Sequence, residues 1–385
     1  MIETELKPER ALLVAVDDGK EGAFDVERSL AELATLVRTA GAEVTGTVVQ
    51  RRSRPDPASY VGKGKVDELA REKSRLRVDL LVADDELRPS QQKNLEERLD
   101  LRVIDRSAVI LDIFAKHAQS HEGRLQVELA QLEYRLPRLA GVGREMSRLG
   151  GGINTRGPGE TKLESDRQVI RRRITDIRKR LEDVRAHRGR ARQGRESEGL
   201  FVASLVGYTN AGKSTILNAL TGASVLVADQ PFATLDPTTR RLRLPREQEV
   251  IINDTVGFIR DLPPDLLAAF RSTLEEIAGS CLLIHLVDAA NPRCQQQIAS
   301  VDRILTELEF DQIPRLLVFN KAEMVDAATI DAMMRTCQAE GGSDCLAISA
   351  LEPATFESLL RRIGSVLRPN RDSYQHSWTQ AKGGR

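Results

Sequence analysis

The chain has 385 residues with 57 basic and 57 acidic side chains, so its net charge is zero and no global charge marks it for a polyanion. That length suggests two or three domains. No apolar run approaches the ~20 residues that cross a bilayer, which argues against membrane insertion.

The four cysteines, Cys281, Cys294, Cys337 and Cys345, show no metal spacing. Cys281 and Cys345 fall in apolar strand-like runs, as small buried hydrophobes in a reducing cytosol do. The acidic start Met1-Ile-Glu-Thr-Glu5 does not read as a secretory leader, so a cytoplasmic location is expected. The charge balance hides a local imbalance. Residues 116–198 carry 20 basic and 12 acidic side chains, whereas 1–115 carry 19 and 23, and 199–368 carry 15 and 21. The middle segment is therefore the place for a polyanionic partner.

Residues 1–114 alternate between strand and helix patterns. Ala11–Val16, Glu43–Val49, Leu80–Ala83 and Leu101–Ile104 are strand candidates. Helical patterns run from Val26 to Ala40 and from Lys65 to Arg77, with Ser90 as the expected N-cap of Gln91–Leu99. Such alternation implies a mostly parallel sheet. Arg51-Arg-Ser-Arg54 and Tyr60-Val-Gly-Lys-Gly-Lys65 form a basic loop entering a helix. On composition alone it is a phosphate-binding loop or a flexible connector.

Residues 115–198 change period. Leu125, Leu129, Leu132, Leu136 and Leu139 recur at spacings of four and three, as do Ile170, Ile174, Ile177, Leu181 and Val184. Two such seams imply an antiparallel coiled coil that buries one against the other; packing of a seam on a neighbouring domain is the alternative. Between them, residues 139–160 hold seven glycines, a proline and the cations Arg144, Arg148 and Arg156. A glycine-rich basic loop at a hairpin tip favours RNA contact over a plain linker. The polar, glycine-interrupted stretch 185–198 reads as the joint to the next domain.

Gly207-Tyr-Thr-Asn-Ala-Gly-Lys-Ser214 fits G-x-x-x-x-G-K-[ST], after the apolar run Phe201–Val206 and before a helical pattern beginning at Thr215. In such a loop glycines admit the backbone to a polyphosphate, Lys213 reaches the β- and γ-phosphates, and the Ser214 hydroxyl holds Mg²⁺. Four further stretches follow in order. Phe232-Ala-Thr-Leu-Asp236 offers the Thr234 hydroxyl to the γ-phosphate and Mg²⁺. Asp254-Thr-Val-Gly257 offers a carboxylate to Mg²⁺ and the Gly257 N–H to the γ-phosphate. Asn320-Lys-Ala-Glu323 can read a base edge, and Ser349-Ala-Leu351 can back it. Lys213, Thr234 and Gly257 are the expected catalytic contacts. Ser214, Thr234 and Asp254 are the expected metal contacts. Nucleotide contacts are expected over 207–215, 232–236, 254–257, 320–323 and 349–351.

Five such stretches, each at a strand end or in a loop, resemble a translation-factor-type GTPase. The expected fold is α/β: a small N-terminal α/β domain (1–114), a basic helical hairpin with a glycine-rich tip and linker (115–198), a P-loop GTPase domain with a mostly parallel sheet (199–369), and a short polar tail (370–385). More specifically, Tyr60–Lys65, Leu87-Arg-Pro-Ser-Gln-Gln92, Val103-Ile-Asp-Arg106, Ile110-Leu-Asp-Ile-Phe114, Gln126–Leu132 and Thr155–Glu164, with Phe232–Pro237 and Asp254–Phe258, resemble the HflX family of ribosome-associated GTPases over residues 10–368. The resemblance implies a monomer that binds GTP and GDP, docks its N-terminal parts on the rRNA of the 50S subunit, and separates stalled ribosomes. Two other readings stand beside it: a nucleotide-tuned RNA-binding module with negligible turnover, and a nonselective NTPase. The second arises because Glu323 replaces the usual Asp of the base-reading motif. Phe258 stands where many GTPases carry a water-orienting glutamine. Asn210 matches the asparagine that holds K⁺ in related potassium-activated GTPases, so K⁺ joins Mg²⁺ as an implied cofactor.

Overall fold

The computed structural model describes residues 7–19, 23–139, 158–197, 201–221, 232, 238–245, 248–255, 257–258, 277–339 and 344–367. Among these the chain divides into two compact units, one running to Glu182 and the other starting at Asp183.

The first unit is built on a four-stranded, all-parallel sheet in the order β2-β1-β3-β4. The strands are β1 (Arg10–Asp17), β2 (Glu43–Arg51), β3 (Leu80–Ala83) and β4 (Arg102–Asp105). Ala11 to Ala15 are buried without a break, as a strand covered on both faces requires. Helices α2 (Lys63–Leu76) and α3 (Pro89–Leu99) place Val66, Leu69, Leu95 and Leu99 against Leu12, Val14, Leu81 and Val103. Helices α1 (Ala23–Thr39) and α4 (Arg106–His117) contact each other and the sheet.

Helix α3 begins one residue before the expected N-cap Ser90. Pro89 takes the first helical position, where a missing N–H costs nothing, and Gln91 Oε1 accepts from Arg88 N at 2.9 Å. The basic loop before α2 is fastened rather than flexible. Tyr60 is buried at φ +61°, its hydroxyl donating to Asp85 at 2.6 Å and accepting from Val16 N at 3.2 Å. Asp56 and Tyr60 also exchange both main-chain bonds.

Helix α5 (His121–Arg138) is capped by Ser120 Oγ, which accepts from Gly123 N. Its C-terminal end is tied to the sheet through the fully buried Asp105. That carboxylate accepts from Leu87 N (3.1 Å), Ala108 N (3.0 Å), the Tyr134 hydroxyl (2.9 Å) and Arg138 Nη2 (3.0 Å). The Arg138 guanidinium also lies 3.5 Å over the Tyr134 ring. A second buried charge, Arg106, is paired at 2.8 Å with both Asp84 and Glu32. Buried charges persist only when matched in this way.

The two seams meet as expected. Leu125, Leu129, Ile174, Ile177 and Leu181 form one buried cluster, with Leu132, Leu136 and Ile170 against it. Arg173–Glu128 and Arg178–Glu133, each closing to 2.6 Å, join like heptad positions (g with g, e with e), the pairing of an antiparallel seam. Helix α6 (Pro158–Ser197) continues through the stretch read as the joint, so that joint is helical. Its arginines, alanines and glutamates carry enough helix propensity to absorb Gly189 and Gly194. The tip residues Arg144, Arg148 and Arg156, and the tail 370–385, lie outside the described residues.

The second unit holds a six-stranded sheet ordered β10-β9-β8-β5-β7-β6. It comprises β5 (Phe201–Gly207), β6 (Thr238–Leu244), β7 (Gln248–Asp254), β8 (Leu282–Asp288), β9 (Arg315–Asn320) and β10 (Asp344–Ala347). All pairs are parallel except β6 with β7. One face packs on α7 (Lys213–Thr221) and α10 (residues 356–367) through Ile216, Leu217, Leu359, Ile363 and Leu367. On the other face, Val287, Leu317 and Phe319 pack with Cys294 and Ile298 of α8 (Cys294–Glu307) and Met333 and Met334 of α9 (Ala327–Ala339). Four of the five expected segments, those at 207–215, 254–257, 320–323 and 349–351, thus sit at or beyond carboxyl ends of strands, where open α/β sheets place ligands.

The seam and its flanking pairs should differ in weight. Ile177→Ala empties a fully buried site and should cost about 2–5 kcal/mol. Glu133→Ala breaks only a solvent-facing pair and should cost less than about 1 kcal/mol. Denaturant midpoints of the two variants check the ranking.

Candidate functional site

Beyond β5 the chain turns through Tyr208–Gly212 into α7. Gly207 has φ +148°, and a Cβ there would lie 2.2 Å from the Leu286 carbonyl oxygen of β8. Gly212 has φ +90°, and a Cβ there would lie 2.3 Å from Asn320 Nδ2. Both glycines therefore answer to close approach as well as to torsion. Helix α7 starts at Lys213, inside the motif, so its open N–H groups and dipole face the loop.

Lys213 is nearly buried, and its Nζ donates to the carbonyls of Tyr208 (2.8 Å) and Gly207 (3.1 Å). Burial pushes its ammonium down to about 8, against the opposing pull of Asp254. Ser214 Oγ donates to Asp254 Oδ2 at 2.8 Å, bringing the two expected metal contacts together. This donor set of hydroxyl and carboxylate oxygen suits Mg²⁺, which takes hard oxygens and completes its shell from phosphates and water.

The segment after β7 lies directly on the loop. Phe258 N donates to Gly207 O (3.0 Å), and Thr209 N donates to Phe258 O (2.7 Å). A Cβ on Gly257 would lie 2.9 Å from Thr209 Cγ2 and 3.1 Å from Lys213 Nζ. Thr255 is fully buried and its hydroxyl donates to Leu205 O at 2.6 Å, so that side chain serves the sheet. Phe258 is buried and offers no polar group to a reacting water. Phe232 is buried at φ +60°. Ala233, Thr234, Leu235, Asp236 and Val256 lie outside the described residues.

At β9, Asn320 is buried and both ends of its amide are engaged. Nδ2 donates to Ala211 O at 2.8 Å, and Oδ1 accepts from Ala350 N at 3.0 Å. Asn320 thus braces the phosphate loop against Ser349-Ala-Leu351, while its second N–H and the second lone pair of Oδ1 remain available to a base edge. Ser349 Oγ accepts from Leu351 N (3.2 Å), and Thr355 Oγ1 accepts from Ser349 N (3.2 Å). Ala322 N donates to Ile348 O (3.2 Å), so these two loops are joined. Glu323 is exposed, and among the described residues no hydrogen bond or ion pair reaches it. Leu351 is exposed as well.

Sequence reasoning passed over Asp288, at the carboxyl end of β8, which meets Lys321 Nζ at 2.6 Å. Its place at a strand terminus was the available signal. His285 of the same strand is buried and pushed down to about 3 by desolvation, with Arg315 and Lys213 adding to the shift. It is therefore neutral at ordinary pH.

Residues 27–115 match the family described as GTP-binding GTPase N-terminal, 117–195 the GTP-binding GTPase middle region, and 202–321 the 50S ribosome-binding GTPase family. The GTPase HflX of Caldanaerobacter subterraneus is 52% identical over 318 residues, 83% of this chain and 73% of that protein. That of Lacrimispora saccharolytica is 45% identical over 100% of this chain and 89% of its own length. The chain belongs to the HflX family of GTPases. The Escherichia coli GTPase HflX is 47% identical over 77% of this chain and 70% of its own. A solved structure described as SsGBP in complex with GDP superposes with a TM-score of 0.52 at 25% identity, covering 94% of this chain and 99% of that one. The chain is a P-loop GTPase that hydrolyses GTP, on an α/β fold with a mostly parallel sheet. No helix among the described residues is long and apolar enough to cross a membrane.

A contact between Lys213 and the nucleotide's phosphates would make binding pH-dependent. The Lys213 ammonium is pushed down to about 8 without phosphate, and arriving phosphates raise it, so binding takes up a proton above that pH. GDP affinity should be level below pH 8 and weaken as pH rises through 8 to 9.5. Titration calorimetry in buffers of different ionisation heat reads the proton uptake directly; a flat profile without uptake would refute it.

Proposed function

We propose that this GTPase binds the large ribosomal subunit and uses GTP binding and hydrolysis to separate stalled ribosomes. What carries the reading is the match of residues 202–321 to a family described as 50S ribosome-binding GTPases. The positive excess of residues 116–198, in a chain of zero net charge, supports it. In this reading the division into α/β domain (1–114), hairpin and linker (115–198), GTPase domain (199–369) and tail (370–385) is a division of labour. The hairpin, with Arg144, Arg148 and Arg156, meets rRNA phosphates, while the GTPase domain times the contact. The protein acts as a monomer in the cytosol.

At the site, the N–H groups of residues 210–215 cradle the phosphates, and Lys213 leaves the Gly207 and Tyr208 carbonyls to neutralise the β- and γ-phosphates. Ser214, Asp254 and Thr234 hold Mg²⁺, which when bound offsets charge on the phosphate oxygens. Gly257 offers its N–H to the γ-phosphate. Glu323 accepts from the two N–H donors of guanine, a role permitted by its exposed carboxylate, which has no partner among the described residues. Ala350 and Leu351 back the base.

Phe258 supplies no group to orient water, so the isolated protein turns over slowly. Asn210, exposed at φ +61° in the loop, helps hold a K⁺ ion, and the ribosome orders the surrounding segments. Turnover should therefore be slow alone, faster in K⁺ than in Na⁺, and markedly stimulated by 50S subunits. Asn210→Ala should lose the K⁺ response. Fast turnover without ribosomes, or an unchanged K⁺ response in that variant, would count against the mechanism. Replacing Arg144, Arg148 and Arg156 together with Ala should weaken 50S binding and lower its salt slope by about 2 to 3. Intact binding would make the tip a linker.

A further inference from the structure

The base-reading loop holds two opposite charges two residues apart. Lys321 stands at φ +61°, outside the 3₁₀ turn 322–324 that contains Glu323. Its ammonium is held at 2.6 Å by Asp288, whose side chain is 18% exposed. The same carboxylate's other oxygen, Oδ1, accepts from Ala290 N at 3.0 Å and so closes a turn after β8. Main-chain bonds lock the two strand ends together: Ala289 N donates to Asn320 O at 2.9 Å. Asp288 is thus rigidly placed, and Lys321 follows it. Glu323, one methylene longer than aspartate, is left exposed with no partner among the described residues.

We propose that Asp288 is a specificity-positioning residue: it sequesters the Lys321 ammonium so that the Glu323 carboxylate stays open for the N1–H and 2-amino donors of a guanine. This rests on the reading of Glu323 as the base acceptor. The N1–H and 2-amino donors of guanine call on both oxygens of one carboxylate, so an ammonium drawn onto Glu323 competes with the base and turns the carboxylate away from it. The longer arm of Glu323 makes such self-pairing easier than an aspartate would, so this chain has particular need of a competing anion. The Asp288 side chain is the one that provides it.

The 2-amino group separates guanine from hypoxanthine, so the ratio of inosine diphosphate to GDP dissociation constants reads the Glu323 contact. Asp288→Asn keeps an oxygen for Ala290 N and removes the charge that holds Lys321. It should narrow the preference for GDP about fivefold or more. Asp288→Asn combined with Lys321→Met, which keeps the apolar arm and removes its ammonium, should restore the preference. A purely structural role for Asp288 would not be rescued in this way. An unchanged ratio in Asp288→Asn, or a narrowed one that the second substitution leaves narrow, overturns the proposal. Glu323→Ala separates the two levels. If it leaves the wild-type ratio unchanged, the base-acceptor reading itself is wrong. If it collapses the ratio while Asp288→Asn does not, only the role of Asp288 falls.

Discussion

The hydrogen bond from Asn320 Nδ2 to the Ala211 carbonyl is the constraint on which the nucleotide site depends. It joins the loop after β5 to the end of β9, and the same amide reaches Ala350 beyond β10. Phe258 ties the end of β7 to the loop from the other side. Three segments far apart in sequence are thereby fixed around one short loop. In the proposed function a polyphosphate meets a loop already held by these braces, which lowers the cost of ordering that loop on binding. Gly212 is required because the Asn320 brace comes closer than a Cβ would permit, and Gly207 because the Leu286 carbonyl of β8 does.

Much of this was legible in the sequence, for a physical reason. Strands of a parallel sheet are buried on both faces, so β1 and β3 read as unbroken apolar runs, and β5 and β8 as apolar runs interrupted by Ser204 and His285. The seams of α5 and α6 announce themselves through spacing, because apolar residues three and four apart line one face of a helix and bury it on another. What stayed hidden depends on partners distant along the chain. Asn320 appears in sequence as a base reader, and nothing local shows that both ends of its amide also brace the protein. Nothing local to Asp288 says that Lys321, 33 residues away, will meet it. Pro89 rather than Ser90 opens α3, because a fixed φ outweighed the choice of capping hydroxyl.

The family-specific motifs of the first unit also gain a physical meaning. Tyr60 fastens a loop to Asp85, and Asp105 gathers four donors from α4, α5 and the turn before α3. Asp105 ties α5 to the sheet and Tyr60 fixes the loop before α2, so both belong to the rigidity of the first unit. Some cations of the middle segment are likewise engaged internally: Arg173 and Arg178 pair across the seam, and Arg171 and Arg180 pair along α6. The charge left for a polyanion is smaller than the count of cations, which places more weight on the tip arginines.

The central claim is that the loop at Gly207–Ser214 is the place where GTP is hydrolysed, through a lysine that exchanges two carbonyls for phosphates and a serine paired with Asp254. Single-turnover hydrolysis of GTP on 50S subunits by wild type, Lys213→Ala and Ser214→Ala tests it most directly. The account predicts that each substitution lowers the rate by roughly a hundredfold or more, the scale at which removing one group that stabilises the transition state acts. Rates within twofold of wild type in both variants would contradict it.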